Sequence, residues 1–121
     1  MTTEQSGSRE SAAESILVVT APQISGKRVT ATYGLVSANT VRARHIGKDI
    51  MAGLRNIVGG EVVEYAKLLS ESREQALDRM KDKAAALGAN AILSLQFQTS
   101  VIMGGAAEMM AYGTAVRVED E

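Results

Sequence analysis

The chain has 121 residues, with thirteen basic and fourteen acidic side chains and a formal net charge of −1, and its length fits one domain. The balanced charge, the single Phe and the absence of Trp argue against a nucleic-acid partner, which needs a basic face or aromatic stacking platforms. The absence of Cys excludes disulfides and thiolate chemistry. No apolar run approaches a membrane span and no leader pattern is visible, so we expect a cytoplasmic protein without a membrane partner.

The chain ends differ in composition from the part between them. Residues 1–15 are mainly Ser, Thr, Glu, Gln, Gly and Ala, with no large apolar residue after Met1. Such a segment buries too little surface to offset the entropy of ordering, which predicts a disordered tail. We therefore expect one folded domain over residues 16–118, followed by a short C-terminal tail at 119–121.

Two strands are predicted first. Ile16 to Thr20 is apolar and β-branched, and it is bounded by Pro22 and Gly26, which indicates a short strand. Val29 to Ala38 again has strand composition. The turn residues between them make a hairpin of these two strands plausible.

Two helices follow in the prediction. Ile46, Ile50, Leu54 and Ile57 recur at helical spacing, and Gly59-Gly60 is expected to end this shorter helix. A longer helix then continues to Gly88, because one apolar stripe persists through it. The stripe consists of Val62, Tyr65, Ala66, Leu69, Ala76, Leu77, Met80, Ala84 and Leu87.

A second pair of strands completes the domain. From Leu93 to Val101 apolar and polar residues alternate, which predicts a strand with one buried face. Met109 to Val118 is expected to return as its hairpin partner. The order is β-(β)-α-α-β-β, an α+β fold in which the long helix crosses an antiparallel sheet.

The returning strand favours self-association. One face carries the small residues Ala111, Gly113 and Ala115, which permit close approach of a helix or of a neighbouring strand. The other face runs from Met110 to Val118 and is also mostly apolar. A single long helix covers only one face of a sheet, so a second subunit is the simplest cover for the other.

Three segments together resemble a known family. They are Gly53-Leu-Arg-Asn-Ile-Val-Gly-Gly60 with the later Tyr65, Leu69 and Arg73-Glu74, then Ala86-Leu-Gly-Ala-Asn-Ala91, and finally Gly113-Thr-Ala-Val116. Residues 16–118 resemble the YbjQ-like family of small bacterial and archaeal proteins labelled as heavy-metal-binding. The resemblance implies a dodecin-like subunit in a homopentameric ring, and it implies no established activity.

The double glycine is the first candidate ligand site. Backbone N–H groups at a helix N-terminus can bind an anion, with a nearby guanidinium as a second contact. The alternative, which we favour, is a sharp corner between two helices, with Arg55 paired to an acid across a subunit boundary. Where members of the family often have a basic residue and a serine after the two glycines, this chain has Glu61-Val62. The candidate residues are Arg55, Asn56, Gly59, Gly60, Glu61 and Tyr65.

His45 and Asp49 are the candidate metal ligands. Their spacing of four residues places both on one helical face, and a ring of subunits could add further ligands for a divalent cation. Neighbouring positive charge opposes this, because Arg42, Arg44 and Lys48 surround the histidine. A solvated or interfacial histidine is the interpretation we favour.

The remaining candidates are weaker. Met103, Met109 and Met110 offer thioethers for Cu(I), but packing is their commoner role. The basic cluster of Arg42, Arg44, Lys48 and Arg55 is open to an anion or to salt bridges. No catalytic residue is predicted, because the acids Glu71 and Glu74 lie on the outer face of the long helix.

These observations favour a ring-forming binding or structural protein with any ligand at subunit boundaries. Its expected partner is itself, and a divalent metal is its one candidate cofactor. Two alternatives stay open at this point. One is a heavy-metal-binding protein with His and carboxylate ligands from several subunits, and the other is an enzyme acting on a small anionic substrate near Arg55.

Overall fold

The computed structural model describes residues 12–13, 15–41, 59–102 and 106–121. These residues form four strands and one long helix, and the expectation of an α+β fold is therefore correct. The elements are β1 (Leu17–Val18), β2 (Lys27–Val41), α1 (Gly59–Leu87), β3 (Ala91–Ile102) and β4 (Ala106–Asp120). The predicted shorter helix, from Ile46 to Ile57, lies outside the described residues.

The sheet has the strand order β1-β3-β4-β2 and is mixed. β4 is antiparallel to both β2 and β3, as expected, whereas β1 pairs parallel with β3 through Leu17↔Ala91 and Val18↔Ile92. The predicted hairpin of the first two strands is therefore wrong. The segment after β1 is hydrogen-bonded to β3 through Val19, whose N–H donates to Ile92 O and whose carbonyl accepts from Leu95 N. It then crosses to the opposite edge, where β2 begins.

α1 begins at Gly59, so the two glycines lie within its first turn rather than in front of it. Its C-terminus is the one expected at Gly88, whose φ of +94° requires the left-handed region that glycine enters freely. Gly88 N donates to Ala85 O and Ala89 N donates to Ala84 O, the pair of bonds of a Schellman motif. These bonds satisfy carbonyls that the end of the helix would otherwise leave unpaired.

The buried face of α1 consists mainly of small residues at a spacing of four. Ser72, Ala76, Met80 and Ala84 are all buried, and they pack toward the small residues of β2 and β4 such as Ala38, Ala111 and Ala115. The prediction that the small face of β4 admits a helix is confirmed. Ser72 is the polar residue of this buried face. It is tolerated there because its hydroxyl donates a hydrogen bond to Leu68 O within the helix.

Gly113 of β4 is required by space rather than by backbone conformation. A Cβ placed on it would lie 2.8 Å from Ile92 Cγ2 and 2.9 Å from Leu93 O of the neighbouring strand. The carbonyl belongs to the ladder and cannot rotate away. The Gly-Thr-Ala-Val segment is one of those that carry the family resemblance, and packing explains why its first residue is glycine.

A bulge in β3 places its two leucines on opposite faces of the sheet, in two different buried clusters. The register between β3 and β4 shifts between Leu93 and Gln96, and Ser94 adopts a φ of +56°. Leu93 consequently packs on the face away from α1, while Leu95 packs against the helix side. The alternation predicted for this strand, with both leucines on one face, is wrong for this reason.

The second cluster covers part of the outer sheet face, the face that α1 leaves free. Its buried residues are Ala91, Leu93, Val116 and Val118, and Val19 and Ile24 of the segment after β1 pack against them. The chain itself thus shields the C-terminal half of the outer face of β4. A second subunit is not needed there, which corrects one part of the reasoning from sequence.

The ends of β2 and β4 are joined by charged pairs. Lys27 Nζ lies 2.5 Å from Asp120 Oδ1, and Arg28 and Glu119 approach to 3.5 Å. The hydrogen bond and charge of Lys27 hold the pKa of the Asp120 carboxyl below its usual value. β4 therefore extends through Glu119 and Asp120, which the sequence analysis assigned to a tail.

Candidate functional site

An open groove lies between the C-terminal half of α1 and β2, the strand at one edge of the sheet. Its volume is about 430 Å³. We call it the edge groove, and it is lined by Leu35, Val36, Ser37, Lys83, Ala86 and Leu87. The small buried residues of α1 let the helix lie close to β2 and β4. The longer side chains on the neighbouring face of α1 then lie along the edge of the sheet, and the groove forms between them and β2.

Two cationic side chains of α1 bind carbonyl groups of β2 beside this groove. Lys83 Nζ donates to Ser37 O at 2.8 Å and Arg79 donates to Asn39 O at 3.0 Å. Alternate carbonyls of an edge strand point away from its neighbour, so these two belong to the free edge. Long cationic side chains over an edge are a common means of blocking uncontrolled strand pairing.

The surroundings of the groove are unusually apolar for a solvent-facing surface. Leu35 is 75% exposed and Leu87 is 50% exposed. Leu35 is opposite Thr114 in the ladder and lies on the outer face, whereas Leu87 belongs to the last turn of α1. Apolar surface therefore lies on both sides of the free edge of β2.

The polar groups at the end of α1 are used within the fold. Gly88 O accepts from the Tyr33 hydroxyl at 3.5 Å and from Arg117 at 3.3 Å. A guanidinium at a helix C-terminus also complements the negative end of the helix dipole. These residues complete the helix, and the ammonium group of Lys83 is the cation that faces the groove.

The edge groove offers groups that bind a ligand by apolar contact and hydrogen bonding. The groove combines apolar side chains, backbone carbonyls and one ammonium group. The acids Glu71, Glu74 and Asp78 are exposed on the opposite side of α1. Within residues 12–41, 59–102 and 106–121, as far as these are described, no group of three His, Asp or Glu side chains is placed to hold a metal ion.

The candidate residues predicted from sequence lie elsewhere. Gly59, Gly60, Glu61 and Tyr65 belong to the first two turns of α1. At a rise of about 1.5 Å per residue, they are roughly 30 Å along the helix from the edge groove. The other predicted site residues, Arg55, Asn56, His45, Asp49, Arg42, Arg44 and Lys48, lie outside the described residues.

The methionine candidates are separated by the sheet. Met109 is buried on the helix side and its sulfur accepts a hydrogen bond from Thr99 at 3.3 Å. Met110 lies on the other face of the same strand, and Met103 is outside the described residues. Met109 therefore packs in the core, as the favoured interpretation expects, and the two described thioethers do not share a face.

Arg79 and Lys83 are not among the candidate residues predicted from the sequence. Their spacing of four residues, directly beside the buried stripe of α1, was the available signal. That spacing shows two neighbouring cations on a helix, but it does not reveal that an edge strand lies under them.

Comparison with known proteins identifies the family. The model of the YbjQ family, described as "Putative heavy-metal-binding", matches residues 16–119. A UPF0145 protein of Methanosarcina acetivorans is 48% identical over 103 residues, covering 85% of this chain and 97% of its own. A UPF0145 protein of Pyrococcus horikoshii is 54% identical over 106 residues, covering 88% of this chain and 91% of its own.

A solved structure supports the fold. A protein of unknown function of the DUF74 family from Pediococcus pentosaceus aligns with a TM-score of 0.58 and 17% identity, covering 86% of this chain and 98% of that one. Among the described residues no helix is long and apolar enough to cross a membrane. The family model and the close relatives agree with the resemblance read from the sequence, and the chain belongs to the YbjQ family of UPF0145 proteins.

Proposed function

We propose that this protein is the subunit of a homo-oligomeric binding protein whose ligand sites lie at subunit boundaries. The observation that carries the proposal is the number of large apolar side chains that the described residues leave exposed. The large apolar side chains that are buried are Ile16, Val36, Met80, Ile92, Leu93, Met109, Val116 and Val118. Those that are at least 40% exposed are Leu17, Val29, Tyr33, Leu35, Val41, Leu87 and Phe97.

The exposure of these side chains is related to how the core is built. The helix and sheet meet through Ala, Ser and Gly residues, so close approach replaces large side chains at the centre of the fold. Fully burying a Leu, Val or Phe side chain contributes about 1.5–3 kcal/mol. Because these side chains are already about half covered, burying the remainder of three of them between subunits contributes roughly 2–5 kcal/mol before the cost of association.

The position of the exposed residues supports a boundary site. Leu35 and Leu87 flank the edge groove, and Lys83 places an ammonium group in it. A neighbouring subunit would close this groove on its open side. The enclosed space would then suit a small ligand with an apolar part and a negative or hydrogen-bonding group. We propose a ring of five copies, as the family resemblance implies, located in the cytoplasm.

A metal ion is the second candidate ligand, because the family model is described as heavy-metal-binding. The ligands we propose for it are His45 and Asp49, repeated around the ring so that several subunits contribute to one site. Imidazole and carboxylate groups suit Zn²⁺, Ni²⁺ and Cu²⁺.

Native mass spectrometry and sedimentation velocity of the full chain at micromolar concentration test the assembly. We expect one closed species of several subunits. A monomer at these concentrations would contradict the proposed function, since a boundary site requires a boundary.

Calorimetric titration with Zn²⁺, Ni²⁺ and Cu²⁺ tests the metal candidate separately. We expect binding by the assembled protein and its loss in His45→Ala, with Asp78→Asn as a control that changes an exposed acid on α1. Equal heats for the native protein and His45→Ala would exclude His45 as a ligand.

A further inference from the structure

Among the described residues the sheet has two free edges, one on each side. On one side the outer edge of β2 is contacted by Lys83 and Arg79 of α1. On the other side β1 pairs with β3 only at Ala91 and Ile92, and the segment after β1 extends the contact to Leu95. No strand among the described residues pairs with that edge of β3 from Gln96 to Ile102.

The two free edges have matching directions. β2 and β3 are both antiparallel to β4, so they run parallel to each other. If copies continue the sheet side by side around a ring, β2 of one copy meets β3 of the next in parallel orientation. A head-to-tail contact of this kind joins two different surfaces and closes into a ring when the rotation permits.

Side chains on the two edges are complementary as well. Phe97 is opposite Ala111 in the ladder, which places it on the helix side of the sheet, and it is 40% exposed. The edge groove lies on the helix side at the opposite edge, with Leu87 half-exposed beside it. In a continued sheet the helix side of one copy adjoins the helix side of the next, so Phe97 faces the groove of its neighbour.

We infer that the outer edge of β2 is the docking site for the free part of β3, residues 96–102, of a second copy, with Phe97 of that copy covering the open side of the edge groove. The inference rests on the proposed function and deepens it by naming the surfaces that meet. Docking adds backbone hydrogen bonds to the Ser37 and Asn39 carbonyls, which releases Lys83 and Arg79 toward the new boundary.

Disulfide trapping tests this pairing directly, because the chain has no cysteine of its own. Ser37→Cys is combined in turn with Gln96→Cys, Gln98→Cys and Ser100→Cys, and each protein is oxidised under native conditions. Within one chain β4 separates the two strands by about 9–10 Å, beyond the roughly 7 Å that a disulfide can span. Any disulfide of such a pair therefore links two copies.

We expect one of the three double variants to give covalent products of three or more chains on a denaturing gel, while each single variant gives none. A covalent dimer from Ser37→Cys alone would mean that β2 pairs with β2 in a two-fold dimer, and would overturn the inference. An oligomer of native size with no trapping in any of the three pairs would also overturn it, yet would leave the proposed function intact. A monomer would overturn both.

A second measurement concerns Phe97. We expect Phe97→Ala to raise the concentration at which the assembly dissociates by at least about tenfold. The matched control is Val29→Ala, which removes an exposed apolar side chain of β2 outside the groove. Dissociation unchanged by Phe97→Ala, or equally changed by the control, would place the contact elsewhere.

Discussion

Asn90 provides the sharpest test of how the C-terminal strand is held. Its side-chain amide donates to Val118 O at 2.9 Å, and its amide oxygen accepts from Val118 N at 2.8 Å. The side chain thus acts as an extra strand residue for the end of β4, in a half-buried position just after α1. The Asn of the Leu-Gly-Ala-Asn-Ala segment therefore has a structural role.

The magnitude follows from the number of bonds. Each hydrogen bond contributes about 0.5–1.5 kcal/mol net, and leaving the two backbone groups of Val118 unpaired costs more where they are buried. We expect Asn90→Ala to lower the free energy of unfolding by about 2 kcal/mol. For a domain of roughly one hundred residues this corresponds to a fall in Tm of roughly 8 °C or more.

Urea denaturation at a fixed protein concentration is the assay, because the apparent stability of an assembling protein depends on concentration. Asn39→Ala is the control, since Asn39 also makes a side-chain hydrogen bond, to Glu108 at 2.9 Å, but is exposed. We expect it to cost less than about 0.5 kcal/mol. Equal effects of the two substitutions, or an Asn90→Ala protein as stable as the native one, would refute the reasoning.

Three further predictions concern the backbone and the strand ends. Gly113→Ala should destabilise the fold by about 1–3 kcal/mol in urea denaturation, because its Cβ would lie 2.9 Å from Leu93 O, and native stability would contradict this. Gly88→Ala should cost about 1 kcal/mol in the same assay through its positive φ, and a stabilised variant would show that this strain is absent. The Asp120 pKa is lowered by Lys27, so the ion pair stabilises the fold above the usual carboxyl value near 3.8 and is lost as pH falls through the lowered pKa. The free energy of unfolding, measured from pH 5 to 2, should therefore fall less steeply in Asp120→Asn than in the native protein. Identical pH profiles for the two proteins would show that the ion pair does not contribute to stability.

Periodicity predicted the secondary structure well where local signals decided it. The stripe of α1 and its end at Gly88 are visible in the sequence because each depends on residues within a few turns of one another. The pairing of β1 with β3 depends on a parallel contact over more than seventy residues, which no local pattern encodes. The bulge at Ser94 was missed for a related reason, since a serine in a strand gives no sign that it takes a positive φ.

The candidate site illustrates the same limit. The sequence drew attention to the glycines and to His45, residues that are conspicuous by type. The groove instead consists of ordinary residues whose arrangement arises only when α1 crosses the edge of the sheet. Lys83 is one of several lysines in the chain, and Ser37 takes part through its backbone carbonyl. Neither position can be distinguished by residue type alone.

Once the fold is known, the apolar surface available for assembly can be assigned to particular edges of the sheet. The sequence placed the unshielded apolar surface on the outer face of β4, but Val116 and Val118 are covered by the chain's own Val19 and Ile24. The exposed apolar side chains that remain include Leu35, Leu87 and Phe97, which lie toward the two free edges of the sheet. Apolar surface on one face would favour stacking of subunits, whereas apolar surface at two opposite edges favours extension of the sheet from copy to copy. The position of α1 over β2 creates the groove at one edge of the sheet. The exposed apolar side chains at the two edges therefore favour a head-to-tail interaction between copies.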